Sequence, residues 1–143
     1  MKEARRQARE VALQALYAWQ LSRGDALEQM KALDGYESAD QKLAEKIVRG
    51  VSERSAELQA LISPHLDRAF ERLSPVERAI LYIGSYELSS QPGTPFKVVL
   101  NEAVELGKSF GGTEGHRFVN GVLEKIATAL RPEEVAKSRT RIA

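Results

Sequence analysis

SPVERAILYIGSYEL, residues 74–88, is the stretch that decides the fold of this 143-residue chain. Ser74 is a favoured N-cap, Pro75 suits the first helical position, and Glu77 has the spacing of a capping box. Apolar residues then occupy most sides of the predicted helix: Val76, Ala79, Ile80, Leu81, Ile83 and Leu88. A helix that is apolar on most sides is usually buried. The stretch therefore predicts a central helix against which other helices pack.

The rest of the chain repeats the helical period of 3.6 residues, and no segment sustains the period of two that is typical of a strand. Further helices are predicted over residues 3–22, from Asp25 to near Gly35, from Ser38 to about residue 62 as one long helix, over a short segment at 66–73, from Thr94 to Phe110, and from the glycine-rich break 111–115 to Leu130. We predict an all-α fold, with a single compact bundle of about seven helices over residues 1–131. Residues 132–143 are basic and lack an apolar period, so we predict a flexible tail there.

Composition places the chain among ordinary water-soluble domains. It is 43% hydrophobic and 29% charged, and its apolar runs are too short to span a membrane. Charge follows Met1 at once, so no secretory signal is predicted. The chain has no cysteine, which excludes disulfides and a thiol nucleophile and is compatible with a reducing compartment. We therefore predict a cytoplasmic protein.

Residues suited to catalysis are scarce. The two histidines, His65 and His116, lack the spacing of a metal motif. The GKS run at 107–109 resembles the end of a phosphate-binding loop, but Ala103 stands where that loop requires a glycine. Ser85 has no following glycine to form a nucleophile elbow. We predict neither an enzyme nor a metal or cofactor site.

The segment KEARRQARE, residues 2–10, concentrates positive charge in a chain whose net charge is only +1. One face of the first helix is predicted to carry four cations: Lys2, Arg5, Arg6 and Arg9. Cations near a helix N-terminus oppose the helix dipole, at a cost of roughly 0.3–1 kcal/mol each when exposed. Two interpretations stay open. The face is either a solvated surface, partly neutralised by Glu10, or a site for nucleic-acid phosphates, which guanidinium groups suit.

The segment GGTEGHRF, residues 111–118, places glycines and one aromatic residue at the start of the last helix. Phe118 is either a core residue, as the base rate favours, or a stacking surface for a nucleobase. Gly121 lies inside the same helix, where glycine costs about 1 kcal/mol relative to alanine. Close packing against another helix would explain it.

Four stretches together carry a resemblance to a known family: ARRQAREVALQALYAWQLS (4–22), VERAILYIGSYEL (76–88), PFKVVLNEAVELGKSFG (95–111) and HRFVNGVLEKIA (116–127). In this order, they resemble the NusB family of bacterial transcription antitermination factors. The resemblance implies an all-helical protein without catalysis. It further implies a partner, NusE, which is also a small-subunit ribosomal protein. The pair would bind single-stranded boxA-type RNA in nascent ribosomal transcripts and, with other Nus factors, load a complex on RNA polymerase.

The resemblance also assigns roles to residues of this chain. It implies RNA contacts by Lys2, Arg5, Arg6, Arg9, Glu114 and Phe118. It implies contacts to NusE by Tyr17, Glu71 and Glu77. Glutamates of this kind also occur as solvated or capping charges, and Gln7 stands where the family often has a further arginine.

Two alternatives come from other classes of protein. One is a homodimeric interaction module in which the basic face is masked. The other is a stand-alone relic of the NusB-like domain that precedes the catalytic domain of an RNA methyltransferase family.

Overall fold

The computed structural model describes residues 2–111 and 115–142 of the chain. Over these residues it contains eight α-helices, two single-turn 3-10 helices and no strand, which confirms the all-α prediction. No helix in this part of the chain is long and apolar enough to cross a membrane. The α-helices are α1 (Lys2–Ser22), α2 (Ala26–Lys31), α3 (Gln41–Glu53), α4 (Ser55–Ile62), α5 (Pro75–Ser90), α6 (Phe96–Phe110), α7 (Gly115–Leu130) and α8 (Pro132–Ile142).

Helix α5 occupies the centre, as the sequence predicts. Its capping box is formed: the Ser74 hydroxyl accepts a hydrogen bond from the Glu77 backbone N–H at 3.1 Å, and the Glu77 carboxylate accepts from the Ser74 N–H at 3.1 Å. Every residue from Ala79 to Leu88 is buried. Helices α1, α3, α4, α6 and α7 all pack against α5. The core is therefore organised around the one helix that is apolar on most of its sides.

The prediction of one long third helix is wrong. The backbone leaves helical geometry at Arg54, with φ −118° and ψ 24°, and separates α3 from α4. The apolar stripe continues in register across the break, from Val51 to Leu58, so its spacing gave no sign of a turn. The break lets α3 pack mainly on α1 while α4 packs on α5.

Two smaller predictions nearby also differ from the structure. The N-cap of α3 is Asp40, whose carboxylate accepts a hydrogen bond from the Leu43 N–H at 3.1 Å, rather than Ser38. The Asp40 N–H donates to the Ala4 carbonyl at 2.9 Å, so a contact with α1 fixes this helix start. The short helix expected at 66–73 is only a 3-10 turn, Phe70–Arg72.

The segment after Leu130, expected to be a flexible tail, instead forms α8, with Pro132 at its first position rather than beyond a helix end. Val135 is buried, and Glu134 Oε2 accepts a hydrogen bond from the Phe96 backbone N–H at 2.8 Å. The Arg131 guanidinium donates to backbone carbonyls at the end of α5 and in the loop that follows: Glu87, Leu88, Gln91 and Thr94. Because these tertiary contacts hold α8 in place, the helix forms without the apolar stripe that would have predicted it.

Two glycines inside helices have opposite surroundings. A Cβ at Gly107 would lie 2.8 Å from the Cα of His116, so Gly107 allows α6 and α7 to cross closely. This close approach accounts for the glycine of the GKS run. A Cβ at Gly121 would meet nothing within 4 Å. Among the described residues, helix packing therefore does not explain Gly121.

These surroundings predict opposite effects for the same substitution. Gly107→Ala should lower the free energy of unfolding by about 1–3 kcal/mol, because α6 and α7 must move apart. Gly121→Ala should raise it by up to about 1 kcal/mol, because alanine is the better helix former. Urea denaturation of both variants beside the wild type measures the two changes. Equal effects would contradict the close crossing at Gly107.

Candidate nucleic-acid interface

The four cations expected on one face of α1 do not share one environment. Arg9 is buried, with only 3% of its side chain exposed, and it forms a two-pronged ion pair with Glu87 on α5. Its Nε and Nη2 donate to the two Glu87 carboxylate oxygens at 2.8 Å each. This placement differs from the exposed position that the sequence predicted. Position 9 lies at the edge of the apolar stripe of α1, and the partner of Arg9, Glu87, lies 78 residues further along the chain.

Glu102 on α6 joins this pair to Arg6. Arg6 Nε and Nη2 donate to the Glu102 carboxylate at 3.1 and 2.8 Å, and Arg9 Nη1 lies 3.8 Å from Glu102 Oε1. Burial opposes ionisation of Glu102, but the hydrogen bonds and charges of Arg6 and Arg9 outweigh it and hold the pKa of Glu102 below 4.5. Two arginines and two glutamates thus balance in charge and connect α1, α5 and α6.

The remaining cations of the segment line a surface groove between α1 and α6, with a volume of about 540 Å³. Lys2 and Arg5 contribute from α1, and Lys97 and Asn101 contribute from α6. The paired side chains of Arg9 and Glu102 form a further part of the lining. Arg5 is 40% exposed, and its Nη1 lies 3.8 Å from Asp40, an ion-pair distance too long for a hydrogen bond. The sequence did not single out Lys97, which is an isolated lysine at the start of its helix. The fold brings it beside the cations of α1.

Arg6 has an intermediate position. Its side chain is 39% exposed although two of its nitrogens are hydrogen-bonded to Glu102. A guanidinium held in this way keeps a fixed orientation while part of it faces solvent. Such a group loses little side-chain freedom when it binds a further anion.

Phe118, which the resemblance also places at RNA, lies away from this groove. Phe118 is half-buried and packs against the core on α7, and the guanidinium carbon of Arg68 lies 5.1 Å from its ring centroid. It lines a different groove, beside His65 and Lys125. Phe118 therefore combines features of a core residue, because it packs on the core, and of a stacking surface, because it also lines a groove. Glu114 lies outside the described residues.

Tyr17, a predicted partner contact, lies on the exposed side of α1. It is 40% exposed, and Leu21, one turn later, is 64% exposed. Residues four apart on a helix are neighbours on its surface, so the two side chains form one apolar patch. The sequence alone does not indicate a role for Leu21, because a single surface leucine is common.

The two glutamates predicted at the same interface have local partners. Glu77 belongs to the capping box of α5, and the Glu71 carboxylate accepts a hydrogen bond from Gln59 at 3.2 Å. Arg78 donates to Gln20 on α1 at 2.8 Å and to the Glu71 carbonyl at 3.3 Å. These bonds bring the last turns of α1 next to the start of α5. The fold thus gathers the three predicted partner residues in one region.

The fold and the groove define an all-helical protein with a cationic groove between its first helix and α6, an arrangement suited to an anionic polymer. The NusB family model matches residues 6–128. The transcription antitermination protein NusB of Burkholderia mallei is 50% identical over 141 residues, covering 96% of this chain and 97% of that protein. The chain belongs to the NusB family.

Solved structures agree with this assignment. The T. maritima NusB structure superposes with a TM-score of 0.81 at 31% identity, covering 92% of this chain and 96% of that one. The NusB chain in a crystal structure of the antitermination factors NusB and NusE with double-stranded RNA has a TM-score of 0.78 at 30% identity. That match covers 90% of this chain and 99% of the other.

The buried ion pair gives a prediction about stability. Arg9→Ala should lower the free energy of unfolding by about 3–5 kcal/mol, because Glu87 is left charged and buried. The double variant Arg9→Met/Glu87→Leu should recover most of that loss, since it removes both charges. Arg5→Ala, on the exposed side of the same helix, should change stability by no more than about 0.5 kcal/mol. Urea denaturation of the three variants measures these differences, and equal effects of Arg9→Ala and Arg5→Ala would contradict the burial of Arg9.

Proposed function

We propose that this protein is a cytoplasmic transcription antitermination factor without catalytic activity of its own. Together with NusE, it binds single-stranded boxA-type RNA in nascent ribosomal RNA and helps load an antitermination complex, with other Nus factors, on RNA polymerase. The observation that carries the proposal is the cationic groove between α1 and α6. Membership of the NusB family supports it, and the solved complex of NusB and NusE with double-stranded RNA supports RNA and NusE as partners.

The RNA backbone is proposed to bind along this groove. Lys2, Arg5 and Lys97 supply cations from two helices. RNA contact by Arg6, which is 39% exposed and hydrogen-bonded to Glu102, stays a prediction from the family resemblance. RNA phosphates carry one negative charge each, so a row of cations at fixed spacing gives affinity that depends on salt. The groove also contains Asn101, whose amide is suited to hydrogen bonds with base edges or ribose. These features match a single strand lying in the groove.

Arg9 is proposed to act through position rather than through direct contact. Its guanidinium is engaged by Glu87 and lies close to Glu102, which in turn holds Arg6. It therefore fixes the direction of α1 and, through Glu102, the orientation of Arg6. RNA contacts by Glu114 and Phe118 stay predictions from the family resemblance.

The partner NusE is proposed to bind at Tyr17 and its neighbours. Tyr17 and Leu21 offer an exposed apolar patch, and tyrosine is enriched at the centre of protein interfaces. Glu77 lies in the first turn of α5 and Glu71 in the 3-10 turn before it, and their carboxylates would face the rim of such an interface. The patch uses the C-terminal half of α1, while the RNA groove uses its first turns. One helix therefore serves both proposed partners.

The RNA proposal predicts a change in salt dependence. The Lys2→Ala/Arg5→Ala double variant should weaken binding of a boxA-type RNA and flatten the log–log salt slope by about 1.4, since each lost phosphate contact removes about 0.7. Fluorescence anisotropy across a salt series, with and without NusE, gives both quantities. Lys31→Ala removes one positive charge from α2, at a residue that does not line the groove, and should leave the slope unchanged. A salt slope that flattens equally in both variants would contradict RNA binding in this groove. Competition with a duplex of the same sequence measures the preference for a single strand.

The partner proposal predicts a separation of the two activities. The Tyr17→Ala/Leu21→Ser double variant should weaken NusE binding about tenfold or more, as expected for an exposed aromatic anchor. The double variant should leave RNA binding in the absence of NusE unchanged. Calorimetric titration with NusE and anisotropy with RNA measure the two effects. Unchanged NusE affinity in a folded variant would place the interface elsewhere.

A further inference from the structure

A second groove, of about 340 Å³, lies on the other side of Lys97 and Asn101 from the first. Both residues line both grooves, so the two grooves are neighbours on the surface. The second groove lies between α6, α7 and α8. Its far side is formed by Ser138 and Arg139 on α8.

The position of α8 beside α6 is fixed at one end by a specific contact. Glu134 accepts hydrogen bonds from the Phe96 N–H at 2.8 Å and from Arg131 at 3.0 Å. Its carboxylate thereby satisfies one of the unpaired N–H groups at the start of α6. Val135 follows, buried against the fold. Arg139 lies one helical turn after Val135, hence on the side of α8 that faces the groove rather than the side that faces away.

The chemistry of the second groove resembles that of the first. Lys97 and Arg139 provide positive charge at its two sides, and Asn101 and Asn120 provide amide groups between them. Glu124 is the acidic residue among those that line it. Its apolar contribution includes Phe96, of which 8% is exposed. A groove with cations, amide groups and a partly apolar floor suits a single-stranded nucleic acid, which presents both phosphates and nucleobases along the strand.

We propose that RNA bound in the first groove continues through the second, and that Arg139 of α8 contacts its phosphate backbone while Asn120 contacts a base or ribose. This inference rests on the proposed RNA-binding function. The supporting observations are the shared lining residues, the fixed position of α8 and the complementary charge. The C-terminal segment is then part of the RNA-binding surface, and the length of RNA that binds depends on it.

The test uses two boxA-type single-stranded RNAs that share a core, one of about 6 nucleotides and one of about 12 extended at either end. Arg139→Ala should weaken binding of the longer RNA about 3- to 10-fold, the range of one lost hydrogen-bonded contact. It should flatten that RNA's salt slope by about 0.7 and leave binding of the shorter RNA unchanged. Asn120→Ala should weaken binding of the longer RNA without changing the slope, because the amide carries no charge.

Lys137→Ala is the matched control. Lys137 is an exposed cation of the same helix, and it does not line the second groove. Equal losses for Arg139→Ala and Lys137→Ala would overturn the inference, since α8 would then contribute only diffuse charge. An unchanged affinity of folded Arg139→Ala for the longer RNA would also overturn it. In that case, loss of binding in the Lys2→Ala/Arg5→Ala variant would still support the proposed function, whereas a wild-type protein that binds neither RNA would overturn both proposals.

Discussion

The paired ion network of Arg9 with Glu87 and Arg6 with Glu102 connects the three helices on which the rest of the structure depends. Taking charges out of water is costly unless each one is paired and hydrogen-bonded. The geometry meets that condition only when α1, α5 and α6 are in their native positions. The network therefore specifies where the first turns of α1 lie, and with them the groove toward Lys97. A hydrophobic contact between the same helices would tolerate sliding more readily, because it has no directional bonds.

This network also explains why cations are concentrated where the helix dipole disfavours them. Arg6 and Arg9 are neutralised by carboxylates from other helices, so the unfavourable charge near the N-terminus is smaller than the sequence suggests. Lys2 and Arg5 remain as exposed cations at the helix start. These two residues, rather than all four, keep the charge that a phosphate would meet. The proposed division between anchoring arginines and binding cations follows from their hydrogen bonds. The guanidinium groups of Arg6 and Arg9 are hydrogen-bonded to carboxylates of other helices, whereas Arg5 lies 3.8 Å from Asp40, too far for a hydrogen bond.

Helix α1 and helix α8 each contribute to more than one part of the surface. The first turns of α1 line the groove, and its later turns expose Tyr17 and Leu21. Helix α8 is held against α6 by Glu134 and contributes Arg139 to the second groove. Since α5 lies buried between the surrounding helices, the outer helices are free to carry polar and charged functional groups on their other faces. The central helix supplies the rigidity that such a divided surface needs.

The sequence by itself determined the all-α class, the central position of α5 and its capping box, because these depend on apolar period and on residues within one helical turn. It also determined that charge is concentrated in the first ten residues. Only the tertiary structure decided that Arg9 is buried, that Lys97 joins the cationic groove, that a turn at Arg54 divides a continuous apolar stripe, and that the last segment is a docked helix. For Arg9 and for the last segment, the deciding contact joins distant residues, as between Arg9 and Glu87 or Phe96 and Glu134. Local periodicity carries no information about such partners, so only the packed fold reveals them.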